Sequence, residues 1–159
     1  MMFTYSHPRP ALTADCIILR RRYDETQVLL VCRNHPPFEG MWALPGGFME
    51  EDEKLSQTAA RELFEETGLE NITLHPFRVY DAPGRDPRGR TVTLVFWGTA
   101  DDPDTAVRPS SDARDVRWVP LSQLPPLAFD HAQILEDFFA SMKTAQYPPA
   151  SDPQLSKYL

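Results

Sequence analysis

The chain has 159 residues with a formal net charge of −7, a length that suits one domain because single cores occupy roughly 100–200 residues. A hydrophobic fraction of 42% with 11% aromatic residues is that of a chain that folds. The negative field, with no Lys/Arg stripe interleaved with aromatics, argues against a nucleic-acid polymer as partner, while a small phosphorylated ligand stays open if cations supply compensating charge.

Residues 1–10 are polar and proline-bearing, without the basic start and apolar core of a signal peptide, and no apolar run approaches the ~20 residues of a membrane span. A cytoplasmic protein with no membrane partner is expected. Leu12 to Leu19 and Gln27 to Cys32 read as strands separated by the polar segment 20–26. Their cysteines, Cys16 and Cys32, read as buried free thiols. Asn34, Pro36, Pro37 and Gly40 mark a loop over 33–40. Met41 to Leu44 is a short strand closed by a turn at Pro45-Gly46-Gly47, where backbone passes close to another group.

Glu53 to Thr67 lacks proline and glycine, is rich in helix formers and stops at Gly68, so it predicts a helix. Strands are expected over Leu69 to Tyr80 and Thr91 to Thr99, with a loop at Pro83 to Arg90 between them, and a long loop over Asp101 to Asp112 precedes a short strand at Val116 to Val119. Asp130 is placed to N-cap a second helix with an apolar stripe of Ile134, Leu135, Phe138 and Met142. A core over about 13–145 and a loose tail over 147–159 complete the reading as a single domain, an α/β sandwich with a mixed sheet.

The first helix carries the chemistry. At 100° per residue, Ala59, Ala60, Leu63 and Phe64 share one side and Glu62, Glu65 and Glu66 the other. Glu62 and Glu66 are like charges at i,i+4, at a cost of about 0.2–0.5 kcal/mol. Glu65 and Glu66 also oppose the helix dipole in the last turn, at about 0.3–1 kcal/mol each. Three carboxylates beside a glycine turn are hard oxygen ligands of the kind Mg²⁺ or Mn²⁺ prefers, and a cation relieves both penalties. Arg61, four residues before Glu65, is placed to orient it.

The run Gly47-x5-Glu53-x7-Arg61-Glu62-Leu63-x-Glu65-Glu66-x-Gly68-Leu69 resembles the signature of the Nudix hydrolases at all nine defined positions. Trp42 to Gly47 and Arg117 to Leu121 are similar to the flanking strands of that family. The resemblance implies a Nudix-type α/β/α sandwich, divalent ions, and attack of water on a nucleoside diphosphate linked to another moiety. By position it implies metal ligation by Glu62, Glu65 and Glu66 with help from a Gly46 or Gly47 carbonyl, and catalytic roles for Glu53, Arg61, Glu65 and Glu66. For Glu53 a favourable first-turn charge is an equal alternative.

Relatives often take the general base from a glutamate in a late loop. Here only Glu136 follows Glu70, inside a predicted helix, so Asp112 is the expected base, with Asp115 nearby and Glu66 the alternative. The segments Pro83 to Arg90 and Phe129-Asp130-His131 resemble small ADP-ribose pyrophosphatases. They nominate Arg33, Arg85, Arg88 and Asp130 as substrate contacts, with Arg90 a further loop cation; Asp130 as a helix cap and His131 as a packed histidine are the plainer readings. They also resemble regulators that reuse the domain to bind ADP-ribose, but those carry a winged-helix domain for which a chain ending at Leu159 has no room. The expected activity is Mg²⁺-dependent cleavage of ADP-ribose to AMP and ribose 5-phosphate. A nucleoside triphosphate pyrophosphohydrolase and a non-catalytic ADP-ribose-binding module are the alternatives, and a homodimer is compatible with the resemblance.

Overall fold

The computed structural model describes residues 2–144 and 158. The strands are β1 (Ala11–Arg22), β2 (Glu25–Arg33), β3 (Trp42–Ala43), β4 (Gly46–Phe48), β5 (His75–Tyr80), β6 (Thr91–Thr99) and β7 (Ala113–Pro120). The helices are α1 (Leu55–Thr67) and α2 (His131–Lys143). They build an α/β sandwich on a mixed sheet of order β3-β2-β1-β6-β5, in which β4 also pairs with β1 and β7 with β2. Among the described strand pairs, β1 with β6 is the parallel one and the others are antiparallel.

β1 reads as a continuous apolar run because both of its faces are covered. Side chains alternate across a strand, so Ala14, Cys16 and Ile18 pack with Ala59 and Leu63 of α1, while Ile17 and Leu19 pack with Ile134, Leu135, Phe138 and Met142 of α2. The predicted stripe of α2 is thus the face that it buries. Cys16 and Cys32 are free and buried, as expected.

β1 is also where the sheet opens. Near its end it pairs with β2 at Leu19 to Arg22; near its start the same side pairs with β4, Thr13 opposite Phe48 and Asp15 opposite Gly46. The gap between β2 and β4 is bridged from Pro45, whose carbonyl accepts from the Cys16 N–H. A cleft forms along this splay.

Several boundaries differ from those expected. The polar segment 20–26 continues both strands and leaves only Tyr23 and Asp24 as a turn, both at positive φ, the mirror-image geometry that matches strand twist. Gly46 and Gly47 form strand β4 rather than a turn, because β1 offers an open edge there. The stretch from Leu69 becomes a strand only at His75, since Asn71 takes a left-handed conformation (φ 60°) that interrupts extended backbone. Helix α1 starts at Leu55, two residues late: Gln57 accepts the Lys54 N–H, and Glu53, before the helix, accepts from the Glu50 N–H and the Thr58 hydroxyl. Glu53 is therefore no first-turn charge. The helix ends at Gly68, left-handed at φ 76°, as predicted.

The expected loose tail falls on 147–157 and 159, outside the described residues; Tyr158 is buried beside the α2 core. No helix among the described residues is long and apolar enough to cross a membrane.

Candidate active site

The acidic face of α1 is organised around one guanidinium. Arg61 donates to Glu53 at 2.5 and 3.0 Å, to Glu62 at 2.8 Å, to Glu65 at 3.2 Å and to the Phe48 carbonyl at 3.0 Å. Its expected i,i+4 contact with Glu65 is present, but the contacts to Glu53 and Glu62 are shorter. This guanidinium, followed by the Glu50 N–H, holds the Glu53 carboxyl down at about 2. Glu62 behaves oppositely: burial pushes its carboxyl above the ordinary range despite Arg61.

Glu66 lies deepest. Burial pushes its carboxyl up to about 8 from an ordinary 4.5, opposed by a hydrogen bond from the Gly46 N–H at 2.8 Å and reinforced by the charges of Glu62 and Asp15. A carboxylate that resists ionisation beside two other acids is short of positive charge. With oxygen donors from Glu62, Glu65 and Glu66 beside the backbone of β4, the residues fit a hard divalent cation. Among the described residues no three acidic, histidine or cysteine side chains stand as a finished cation cage. Arg61 occupies the space among Glu53, Glu62 and Glu65, so a cation must compete with it for Glu62 and Glu65.

The glycines of β4 are required by close approach. A Cβ on Gly46 would lie 2.3 Å from the Ala14 carbonyl oxygen and 2.8 Å from the Asp15 Cα, both on β1. A Cβ on Gly47 would lie 2.3 Å from Glu62 Oε1. The backbone of β4 therefore runs directly over the acids of α1, as the close-approach reading of these glycines requires.

A cleft of about 560 Å³ lies above this floor. Arg33, Gly47, Arg61, Glu62, Glu65, Glu66, Arg85, Arg88 and Asp112 all line it. Glu53 and Asp130 bear on it through the arginines they hold. Asp130 occupies the N-cap position of α2 but makes no side-chain cap bond; its carboxylate takes Arg85 in a two-point pair at 2.9 and 2.7 Å. Burial works against the Arg85 cation, and this pairing outweighs it. Arg88 is anchored on Asp86 through Nε and Nη2, and Asp86 also accepts the Arg88 backbone N–H. Arg90 turns to the Asp81 carbonyl and does not line the cleft. Arg33 donates to the Pro37 carbonyl at 2.7 Å.

Asp112 is exposed at the margin of the cleft, and its carboxylate has no hydrogen-bond partner among the described residues. Asp115 is paired with Arg117. His131 is a packed histidine, as expected: its Nδ1 accepts the Leu44 N–H at 3.0 Å, which assigns the ring proton to Nε2, 3.8 Å from Asp15 Oδ1. Burial pushes its pKa down and keeps it neutral. Phe48 faces the cleft, whereas Trp42 packs against the α2 core with Arg117 over its ring.

Asp15 went unnoticed in the sequence, and Asp86 and Phe129 were noticed only as members of the segments 83–90 and 129–131, without a role of their own. Asp15 is buried on β1 and accepts the Thr93 hydroxyl at 2.6 Å. An acid inside the apolar run from Leu12 to Leu19 was a readable signal, because a buried carboxylate needs a partner. Asp86 and Phe129 gave none, since their loops are positioned by tertiary contacts.

Comparison with known proteins places these features in a family. The NUDIX domain model matches residues 9–138. An ADP-ribose pyrophosphatase of Methanocaldococcus jannaschii is 38% identical over 134 residues, which cover 84% of this chain and 75% of that protein. The ADPR responsive transcriptional repressor NtrR of Acinetobacter baylyi is 33% identical, with 86% of this chain matched to 56% of the repressor. Among solved structures, the NUDIX domain of Shewanella oneidensis NrtR complexed with ADP ribose superposes with a TM-score of 0.79 at 33% identity, covering 86% of this chain and 91% of that one.

Proposed function

The chain belongs to the NUDIX domain family and is a Nudix hydrolase, and from that premise we propose that it acts as a single domain in the cytoplasm, hydrolysing ADP-ribose to AMP and ribose 5-phosphate with Mg²⁺ or Mn²⁺. The observation that carries this reading is the pairing of a cation-hungry acid floor with an arginine-lined wall in one cleft. Its volume of about 560 Å³ falls in the range of roughly 300–1,000 Å³ usual for small-ligand sites. The relatives named for ADP-ribose cleavage or binding support the choice of substrate.

Glu62, Glu65, Glu66 and the Gly47 carbonyl would hold the cation. When bound, it supplies positive charge against the pyrophosphate oxygens and makes water a better nucleophile. Arg61 keeps Glu62 and Glu65 oriented, and Glu53, ionised far below neutrality, keeps Arg61 in place. Asp112 takes the proton of the attacking water: its carboxylate lies on the cleft margin with no hydrogen-bond partner among the described residues, whereas Glu66, the alternative acceptor, is tied to the Gly46 N–H. Arg33 and Arg88 bind phosphate oxygens, and the Arg85–Asp130 pair fixes the loop over 83–90 to the start of α2 beside the sugar.

A second reading, an ADP-ribose-binding module without turnover, is favoured by the similarity to the repressor. The complete acid set weighs against it, since binding alone needs no such strained anions. Incubation of ADP-ribose with the full chain and Mg²⁺, followed by chromatography of the products, separates the two: appearance of AMP with ribose 5-phosphate supports the hydrolase, and intact ADP-ribose held by the protein supports the module.

A further inference from the structure

Phe129 is a bulky residue held at φ 54°, a left-handed conformation such residues rarely adopt without a compensating reason. Its ring stands in the cleft and carries two cations. The guanidinium carbon of Arg33 lies 4.9 Å from the ring centroid and that of Arg88 5.5 Å from it. Phe38 packs edge-on against the same ring at 4.9 Å, and Phe48 carries the Arg88 guanidinium at 4.7 Å, so ring and cations are braced from outside.

The hydrogen bonding of the two arginines is alike. In Arg33, Nε and Nη2 donate to the Pro37 and His35 carbonyls; in Arg88, Nε and Nη2 donate to Asp86. Nη1 of each has no acceptor among the described residues. Two like charges at one ring repel each other. The negative face of the aromatic ring attracts each of them, and these contacts fix where each guanidinium stands.

Resting on the hydrolase reading above, we propose that Phe129 is a positioning and specificity-determining residue: it spaces Arg33 and Arg88 so that each cation takes one phosphate of a diphosphate, and the site thereby selects linked phosphates over a single one. One phosphate must share its oxygens between the two guanidinium groups, whereas linked phosphates give each group its own. A diphosphate offers oxyanions to both, each through a charge-assisted hydrogen bond. The left-handed backbone at Phe129 sets the direction of the ring, because it lies directly before Asp130, which is tied to Arg85.

The test is equilibrium binding of ADP and of AMP to the full chain at low salt without divalent ion, a readout independent of turnover. The wild-type protein should hold ADP at least about 10-fold tighter than AMP, more than a tenfold step of affinity being within reach of one charge-assisted contact. Phe129→Leu should cut that preference to within about twofold by weakening ADP alone, Phe129→Tyr should retain it, and Arg88→Met combined with Phe129→Leu should add little, since both remove the same arrangement. Phe129→Asn suits the left-handed backbone and removes the ring, so it repeats the experiment should the leucine variant be poorly folded. An unchanged ADP preference in the ring-less variants, or equal loss for ADP and AMP, would overturn the proposal. Failure of hydrolysis would be seen separately, with Mg²⁺ and ADP-ribose, and would leave this binding result in place.

Discussion

Replacing Glu66 by glutamine should stabilise the cation-free protein above neutral pH while abolishing its response to Mg²⁺. The folded-state carboxyl titrates near 8 instead of its ordinary 4.5. A raised carboxyl means that the folded protein holds a proton that the unfolded chain has lost, so stability falls as pH rises through this interval. At about 1.4 kcal/mol per pH unit the rise sets a ceiling of about 5 kcal/mol, and relaxation with water entry should leave about 2. For a domain of this size that corresponds to about 4–8 °C in Tm. His131 acts in the opposite sense below its ordinary 6.5, because the unfolded chain binds the proton that buried His131 refuses. Glu53, held at about 2, changes only below the ordinary carboxylate range. The clean window is therefore pH 6.5 to 8.5, as set by those shifts. Glu62 is raised as well, so its contribution has the same sign. Differential scanning calorimetry in EDTA should show the wild-type Tm falling across this window and the variant changing less. Saturating Mg²⁺ should raise the wild-type Tm most at the alkaline end, by linkage. Identical pH profiles for the two proteins in EDTA would refute the argument.

The two glycines of β4 should separate stability from activity. Gly46→Ala drives its Cβ into β1 backbone and should cost about 1–3 kcal/mol in urea melts. Gly47→Ala meets the Glu62 carboxylate first, the far end of a side chain, so it should lower kcat/KM at least about 10-fold with Tm nearly unchanged; the reverse order would contradict the arrangement. Asp112→Asn should lower kcat about 100-fold with little change in KM, as loss of a general base does. Activity within about twofold of wild type would transfer the proton to Glu66.

The parts of the fold most legible in the sequence were those with strong periodicity. β6 has the bounds expected for it, and α2 buries the four apolar residues of the expected stripe. The acid face of α1 could be found because its charges oppose local helix preferences, a conflict that marks a site. What stayed hidden depends on contacts across the sheet. β4 exists only because β2 leaves part of β1 unpaired, which Pro45-Gly46-Gly47 does not announce. Asp130 looks like a helix cap from its position, yet Arg85, 45 residues earlier, takes its carboxylate. Phe129 carries a conformation that its residue type argues against, so no local rule could have placed its ring beside both Arg33 and Arg88.

The most direct measurement is kcat/KM for ADP-ribose and for ATP at the same Mg²⁺ concentration, with products resolved and with Glu66→Gln and EDTA as controls. AMP and ribose 5-phosphate are expected in equal amounts, with a higher kcat/KM for ADP-ribose than for ATP and a loss of at least about 100-fold in either control, the scale of several kcal/mol of transition-state stabilisation. Faster turnover of ATP would contradict the substrate assignment, and tight ADP-ribose binding with no products at saturating Mg²⁺ would contradict the proposed reaction.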